Sequence, residues 1–306
     1  MRVVITGATG FTGRALVGRL AREDHQLVAL SRRFEQVSAL LGEGVQGVDL
    51  SDQEAVCRAL EGADALVNLA GANVAEGRWT EARKQELWKS RVDLTDRLVH
   101  AFSSTDRPPS VVVSGSAVGI YGDTGEKVAT ESSPATEDFL ASLCVSWEAA
   151  AAQFRQAGAR VVCLRMGVVL AEEGGALGKM LPLYRRRLGG VLGSGRQWMS
   201  WIHRDDLVSL ILASLHGDQY RGALNAVAPE PVRNCDFNKA LAASLGVSAV
   251  FSVPGFALRV GMGGGASMLL GSSRVSSEHL EGLGFVFSYP SLASALAQIL
   301  EGDQRD

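Results

Sequence analysis

The chain has 306 residues, 46% of them hydrophobic, and a formal net charge of -3 at pH 7. That length accommodates one large domain, or one domain with an appendage, and can bury a sizeable core. The near-neutral balance speaks against a nucleic-acid or membrane-surface role, and no apolar stretch is long enough to span a bilayer.

The first element is the apolar run Val3-Val4-Ile5, read as a buried strand over 2–6. Gly7-Ala8-Thr9-Gly10-Phe11-Thr12-Gly13 follows, and then apolar residues at helical spacing over 11–22. Strand, glycine turn and helix form the setting of a dinucleotide-binding fingerprint. Its glycines permit a tight turn, close approach to a pyrophosphate, and close packing of helix on strand. The free N–H groups and positive end of the helix then face the phosphates. The spacing is Gly-x-x-Gly-x-x-Gly rather than the commoner Gly-x-Gly-x-x-Gly, so an ordinary strand-to-helix turn is the competing reading.

A second strand over 26–30 runs into Ser31-Arg32-Arg33. An NAD site usually places an acid here, against the ribose 2′-OH. Two guanidiniums suit a 2′-phosphate instead, and each charge-assisted bond contributes about 1.5–3 kcal/mol. The expected cofactor is therefore NADP, favoured over NAD about 10- to 150-fold per bond kept. The alternative is a solvated basic turn.

A helix over 34–41 leads to a third strand, 44–49, closed by Asp49-Leu50, where a contact to the adenine would fall. Ser51-x-x-Glu54 reads as a capping box opening a helix over 52–60. The fourth strand, 63–69, closes in Leu69-Ala70-Gly71, small enough for the backbone to lie against a cofactor. A long helix is expected over 80–102. The fifth strand, 109–114, runs into Ser114-Gly115-Ser116-Ala117-Val118-Gly119-Ile120-Tyr121-Gly122, whose hydroxyls lie where a substrate oxygen could be polarised. A helix over 137–157 and a sixth strand over 160–165 complete the alternation.

This order predicts an α/β fold: a Rossmann-like, doubly wound parallel sheet over 1–166, binding NADP beyond the carboxyl ends of its strands. From 167 to 306 glycine-rich punctuation breaks the pattern into a smaller mixed α/β lobe on the substrate side, with the chain free to cross between lobes. Helices are expected there near 176–187, 203–216, 234–245 and 291–301.

The four cysteines lack metal-ligand or redox spacing and read as reduced thiols in a cytoplasmic protein. The chain opens in strand pattern, so no secretory leader is expected. No histidine has ligand spacing, so no metal is expected. A homodimer is left open.

Gly-Ala-Thr-Gly-Phe-Thr-Gly, Asn68-Leu69-Ala70-Gly71 and the Ser116…Tyr121-Gly122 stretch together resemble the extended short-chain dehydrogenase/reductases. Arg78-Trp79-Thr80, Ser90-Arg91, Trp147-Glu148, Arg165-Met166-Gly167-Val168, Gly190-Val191-Leu192-Gly193-Ser194-Gly195, Trp201-Ile202-His203 and Gly284-Phe285 narrow it. The set is similar to the atypical "epimerase family protein" group, whose C-terminal segment is a small domain of unknown function. The resemblance covers nearly the whole chain. It implies NADP binding, and it places Ser31, Arg32, Leu69, Ala70, Glu86, Arg91 and Val168 against the cofactor. Arg33, Asp49, Leu50, Gly71, Ser114 and Arg165 join them at the strand ends. In this superfamily the His203 position usually links the lobes, and Asp205 or Asp206 is expected to cap the next helix.

One departure matters. The superfamily carries Tyr-x-x-x-Lys on the helix after the fifth strand, a pair that moves a proton at the substrate oxygen. Counting back from Glu148 puts Leu140 in the tyrosine slot and Cys144 in the lysine slot. None of the five lysines, Lys84, Lys89, Lys127, Lys179 and Lys239, has a tyrosine four residues before it. Tyr121, with Ser116 as its neighbour and Lys179 from the second lobe, is the candidate replacement. The expected function is an NADP-dependent oxidoreductase or epimerase of an unidentified small molecule. The alternative is an NADP-binding redox sensor or partner-binding protein with little turnover.

Overall fold

The computed structural model describes residues 1–249 and 251–301. Its first half runs β1 (Arg2–Thr6), α1 (Phe11–Leu20), β2 (Gln26–Ser31), α2 (Val37–Leu41), β3 (Val45–Asp49), α3 (Gln53–Leu60), β4 (Ala65–Asn68), α4 (Glu81–Trp88), α5 (Leu94–Ser103), β5 (Val111–Ala117), α6 (Phe139–Ala152) and β6 (Arg160–Met166). There follow β7 (Val168–Leu170), α7 (Gly175–Arg185), β8 (Gly190–Leu192), β9 (Trp198–Met199), β10 (Trp201–His203), α8 (Arg204–His216) and β11 (Gly222–Ala226). The rest is β12 (Val232–Arg233), α9 (Asn234–Ser244), β13 (Phe251–Val253), α10 (Gly255–Met262), α11 (Ser267–Leu270), α12 (Glu278–Gly282) and α13 (Leu292–Leu300).

Seven parallel strands form the central sheet, in the order β11-β6-β5-β4-β1-β2-β3. Strand order reverses at β1, so successive crossovers leave on opposite faces and a crevice opens at the carboxyl ends of β1 and β4. The strands are apolar throughout because both faces are covered. Val3 and Ile5 pack with Leu16 and Leu20 of α1 and Leu210 and Ile211 of α8. Val4 points the other way, with Leu66, Val112, Leu60, Leu98 and Phe102. Burying one such side chain stabilises the fold by about 1.5–3 kcal/mol. The second lobe has its own core, where Leu177 and Leu181 of α7 meet Phe237 and Leu241 of α9 and Leu296 and Ile299 of α13.

Three sequence expectations need correction. The helix expected over 80–102 is two helices joined by a π-helical turn over Lys89–Asp93, a wider turn that re-aims its side chains. The cap of α3 is Asp52, whose carboxylate accepts from the Ala55 N–H, while Ser51 bonds Asp49. His203 caps α8 through its own ring, which accepts from the Asp205 N–H. Asp206 instead accepts the N–H groups of Ser288 and Tyr289, tying α8 to the C-terminal segment. In the second half the chain returns to the sheet. α8 covers the sheet and β11 completes it, paired with β6.

Among the described residues no helix is long and apolar enough to cross a membrane.

Candidate functional site

The crevice begins where β1 ends. Gly7 sits at φ +70°, and a Cβ there would lie 2.7 Å from the Leu69 carbonyl. A Cβ on Gly13 would overlap the Gly7 carbonyl oxygen. Glycine is required at both places so that the turn can fold under α1 and against β4. Gly10 caps α1 with no side-chain bond, which leaves the amides opening the helix free for an outside acceptor. Thr9, Phe11, Arg14, Ala15, Glu173 and Arg204 line a cavity of about 510 Å³ beside the turn. Arg204 lies over the Phe11 ring at 5.5 Å and is held by Glu173 at 2.7 Å.

A bolt missed by the sequence reading secures this crevice. Thr6 donates to the Asn68 side-chain oxygen (2.6 Å) and accepts the Ala70 N–H (3.2 Å). The Asn68 amide donates to Thr95 (2.9 Å), which donates to the Arg91 carbonyl (2.7 Å). All of this is buried polar surface whose loss would leave unpaired groups. The signal was present as an Asn inside an apolar strand.

At the end of β2 the Ser31 hydroxyl accepts the Arg33 N–H. Arg32 and Arg33 are exposed, and among the described residues neither guanidinium has a partner. The Asp49 carboxylate is turned to Ser51, which lowers its pKa, and the Leu50 carbonyl takes the Arg97 guanidinium. The two groups expected at the adenine are therefore already engaged. Glu86 is exposed and paired with Arg83 at 2.6 Å. Val168 opens β7, its N–H given to the Ser200 carbonyl.

Arg91 is unusual. The π-helical turn lays its guanidinium against the bare Gly71 and over the Trp147 ring, 5.3 Å from the centroid. Its bonds go to neutral oxygens, chiefly the Ala72 carbonyl at 2.9 Å. Among the described residues no carboxylate pairs with it. Burial lowers its pKa to about 10, which leaves it charged at neutral pH.

Ser116, Tyr121 and Arg165 are brought together, but not in an open site. Glu148 of α6 holds Arg165 of β6 through two bonds of 2.8 Å. Ser116 donates to the same Glu148 (2.5 Å). Arg165 donates to the Tyr121 hydroxyl (2.8 Å), which donates to Asn225 of β11 (2.6 Å). Glu131 closes the ring, its carbonyl on Arg165 and its carboxylate on the Asn225 N–H. Burial works against the Arg165 charge, but the bonds to Glu148 outweigh it and raise its pKa. Burial also raises the Tyr121 pKa. Tyr121 and Ser116, proposed acid and helper, are thus sealed structural groups. Arg165 is likewise withdrawn from a cofactor, and Ser114 lies wholly buried within β5.

Lys179 is exposed on α7, apart from that network. Cys144 is buried, and burial pushes its thiol up to about 12. His203 bonds Gln298 at 2.8 Å and packs on Tyr289, a link between lobes rather than a catalytic base.

Residues 3–225 match the model of the NAD dependent epimerase/dehydratase family, and residues 253–299 match a domain of unknown function, DUF1731. The chain is 37% identical over 304 residues to "Epimerase family protein SDR39U1 homolog, chloroplastic" of Arabidopsis thaliana, covering 98% of this chain and 87% of the relative. It is 35% identical to "Epimerase family protein YfhF" of Bacillus subtilis, covering 98% of each. Among solved structures it is similar to the human epimerase family protein SDR39U1 (isoform2) with NADPH, at a TM-score of 0.88 and 34% identity, covering 98% of this chain and 99% of that one.

Proposed function

The chain belongs to the NAD dependent epimerase/dehydratase family, and from that membership we propose that it is an NADP(H)-dependent oxidoreductase or epimerase of a small molecule, working without the Tyr-x-x-x-Lys pair. When bound, the nicotinamide supplies or accepts a hydride. The chain's own residues supply the rest. The free amides opening α1 take the diphosphate, and the bare glycines let it approach. Arg32, with Arg33 beside it, reads the 2′-phosphate. Arg91 adds a fixed positive charge at the end of β4. The single observation that carries this reading is the pairing of an open, glycine-cradled helix start with two guanidiniums at the end of β2 that have no partner among the described residues. The NADPH carried by the human relative supports it. Four free thiols fit a reducing compartment such as the cytoplasm.

The test is differential. Arg32→Ala is expected to weaken NADPH binding about 10- to 150-fold while leaving NADH binding unchanged. Equal losses for both would remove Arg32 from 2′-phosphate recognition.

A second reading, a redox sensor that binds NADPH without turnover, is favoured by the sealed network around Tyr121. Tight NADPH binding with no turnover of aldehydes, quinones or keto-sugars would establish it.

A further inference from the structure

Leu140, Cys144 and Trp147 stand at i, i+4 and i+7 on α6, so they share one face. The first two fill the slots where relatives in the superfamily carry tyrosine and lysine. Leu140 packs over Gly119 and has no proton to give. Cys144 is a buried, neutral thiol. The hydroxyls nearest in sequence to this role, Ser116 and Tyr121, are spent on Glu148 and Asn225. The face therefore lacks a general acid.

It does not lack positive charge. Arg91 lies over the Trp147 ring with no carboxylate partner among the described residues. The Trp147 indole N–H is buried and also has no acceptor among the described residues. A half-buried cation with no anionic partner among the described residues, lying on the ring of a buried Trp147 whose N–H is unpaired, suits a ligand that carries or develops negative charge.

Hydride addition to a carbonyl compound creates such a charge, but not all products tolerate it equally. An aldehyde or ketone gives an alkoxide, a base about as strong as hydroxide. Its formation needs a proton donor at the same moment. A quinone gives a hydroquinone anion, a phenolate with a pKa of about 10. That weak base needs a neighbouring cation rather than a positioned acid.

We propose that the hydride acceptor is a quinone and that Arg91 is the group that stabilises its reduced anion. This rests on the NADP(H) reading given above. One quinone oxygen gains a hydride from C4 of the reduced nicotinamide: a C–H bond breaks and an O–H bond forms. The carbonyl electron pair moves through the ring to the opposite oxygen, which becomes the phenolate facing Arg91. The nicotinamide loses two electrons and the quinone gains two. Water then protonates the phenolate.

The native protein is mixed with NADPH and, in parallel, with a naphthoquinone, benzaldehyde and a 4-keto-sugar nucleotide. The quinone is expected to be reduced at least about 100-fold faster than the other two, over the protein-free rate. Its kcat/KM is expected to be flat from about pH 6 to pH 9, because no protein acid titrates in the step. A binding readout accompanies it. A hydroxynaphthoquinone, ionised at neutral pH, mimics the anion and is titrated calorimetrically into protein saturated with NADP⁺. Arg91→Met is expected to weaken it about 10- to 100-fold at saturating NADP⁺, with part recovered in Arg91→Lys. Faster turnover of the aldehyde or keto-sugar, or equal anion binding by Arg91→Met, would overturn the inference. NADPH binding without turnover of any acceptor would overturn it too, while leaving the carrier reading intact. Absence of NADPH binding would bring down both.

Discussion

Among the described residues, the chain leaves backbone amides around Gly10 and two guanidiniums at the end of β2 without acceptors, whereas behind β5 the side chains of Ser116, Tyr121, Glu148, Arg165 and Asn225 use one another up. Both regions belong to the same parallel sheet, one after β1 and β2, the other on β5, β6 and β11. The exposed guanidiniums are hydrated and cost the fold little while open to an anion, whereas a buried donor left unpaired costs about 1–3 kcal/mol, so the polar groups of the closed region pair with one another.

Substitutions can break this contrast from either side. Glu148→Leu leaves Arg165 charged and unpaired, and is expected to cost about 3–5 kcal/mol in denaturant unfolding. The remaining folded protein should bind NADPH as before. Gly13→Ala pushes a methyl group into the Gly7 carbonyl and is expected to cost about 1–3 kcal/mol and to abolish detectable NADPH binding. Retained binding would move the diphosphate off this turn. Tyr121→Phe strips one hydroxyl from the closed network, costing about 1–2 kcal/mol by the same unfolding measurement, with NADPH affinity and turnover unchanged. A collapse in turnover would put Tyr121 back into the chemistry.

The smallest effect lies at the junction of the lobes. Burial holds the His203 pKa below its ordinary value. As pH falls through about 6.5 the unfolded chain takes up a proton that the folded chain refuses, so stability declines there. His203→Gln should flatten that decline, by less than about 1.4 kcal/mol per pH unit. An unchanged slope would place the titrating group elsewhere.

The glycine turn and six strands were legible in the sequence because their causes are local. Glycines at fixed spacing and unbroken apolar runs need no knowledge of distant residues. β11 was not legible: Gly222-Ala223-Leu224-Asn225-Ala226 interrupts its apolar pattern with an asparagine, and that asparagine is there to receive Tyr121 from 104 residues away. The role of Tyr121 was hidden for the same reason. Its motif suggested an exposed acid, and only the pairing of β6 and β11 brings Arg165 and Asn225 together on its hydroxyl. Arg91 was legible only by resemblance, since its placement depends on the π-helical turn at Lys89–Asp93. Asp52 displaced the expected capping box because the strand end at Asp49 drew Ser51 away from the helix.

The most direct measurement is calorimetry on the purified, folded native protein with NADPH and with NADH in matched buffers. The account predicts saturable binding of both, with NADPH at least about tenfold tighter. Equal affinity would deny the guanidiniums their role, and no heat with either dinucleotide would contradict the account as a whole.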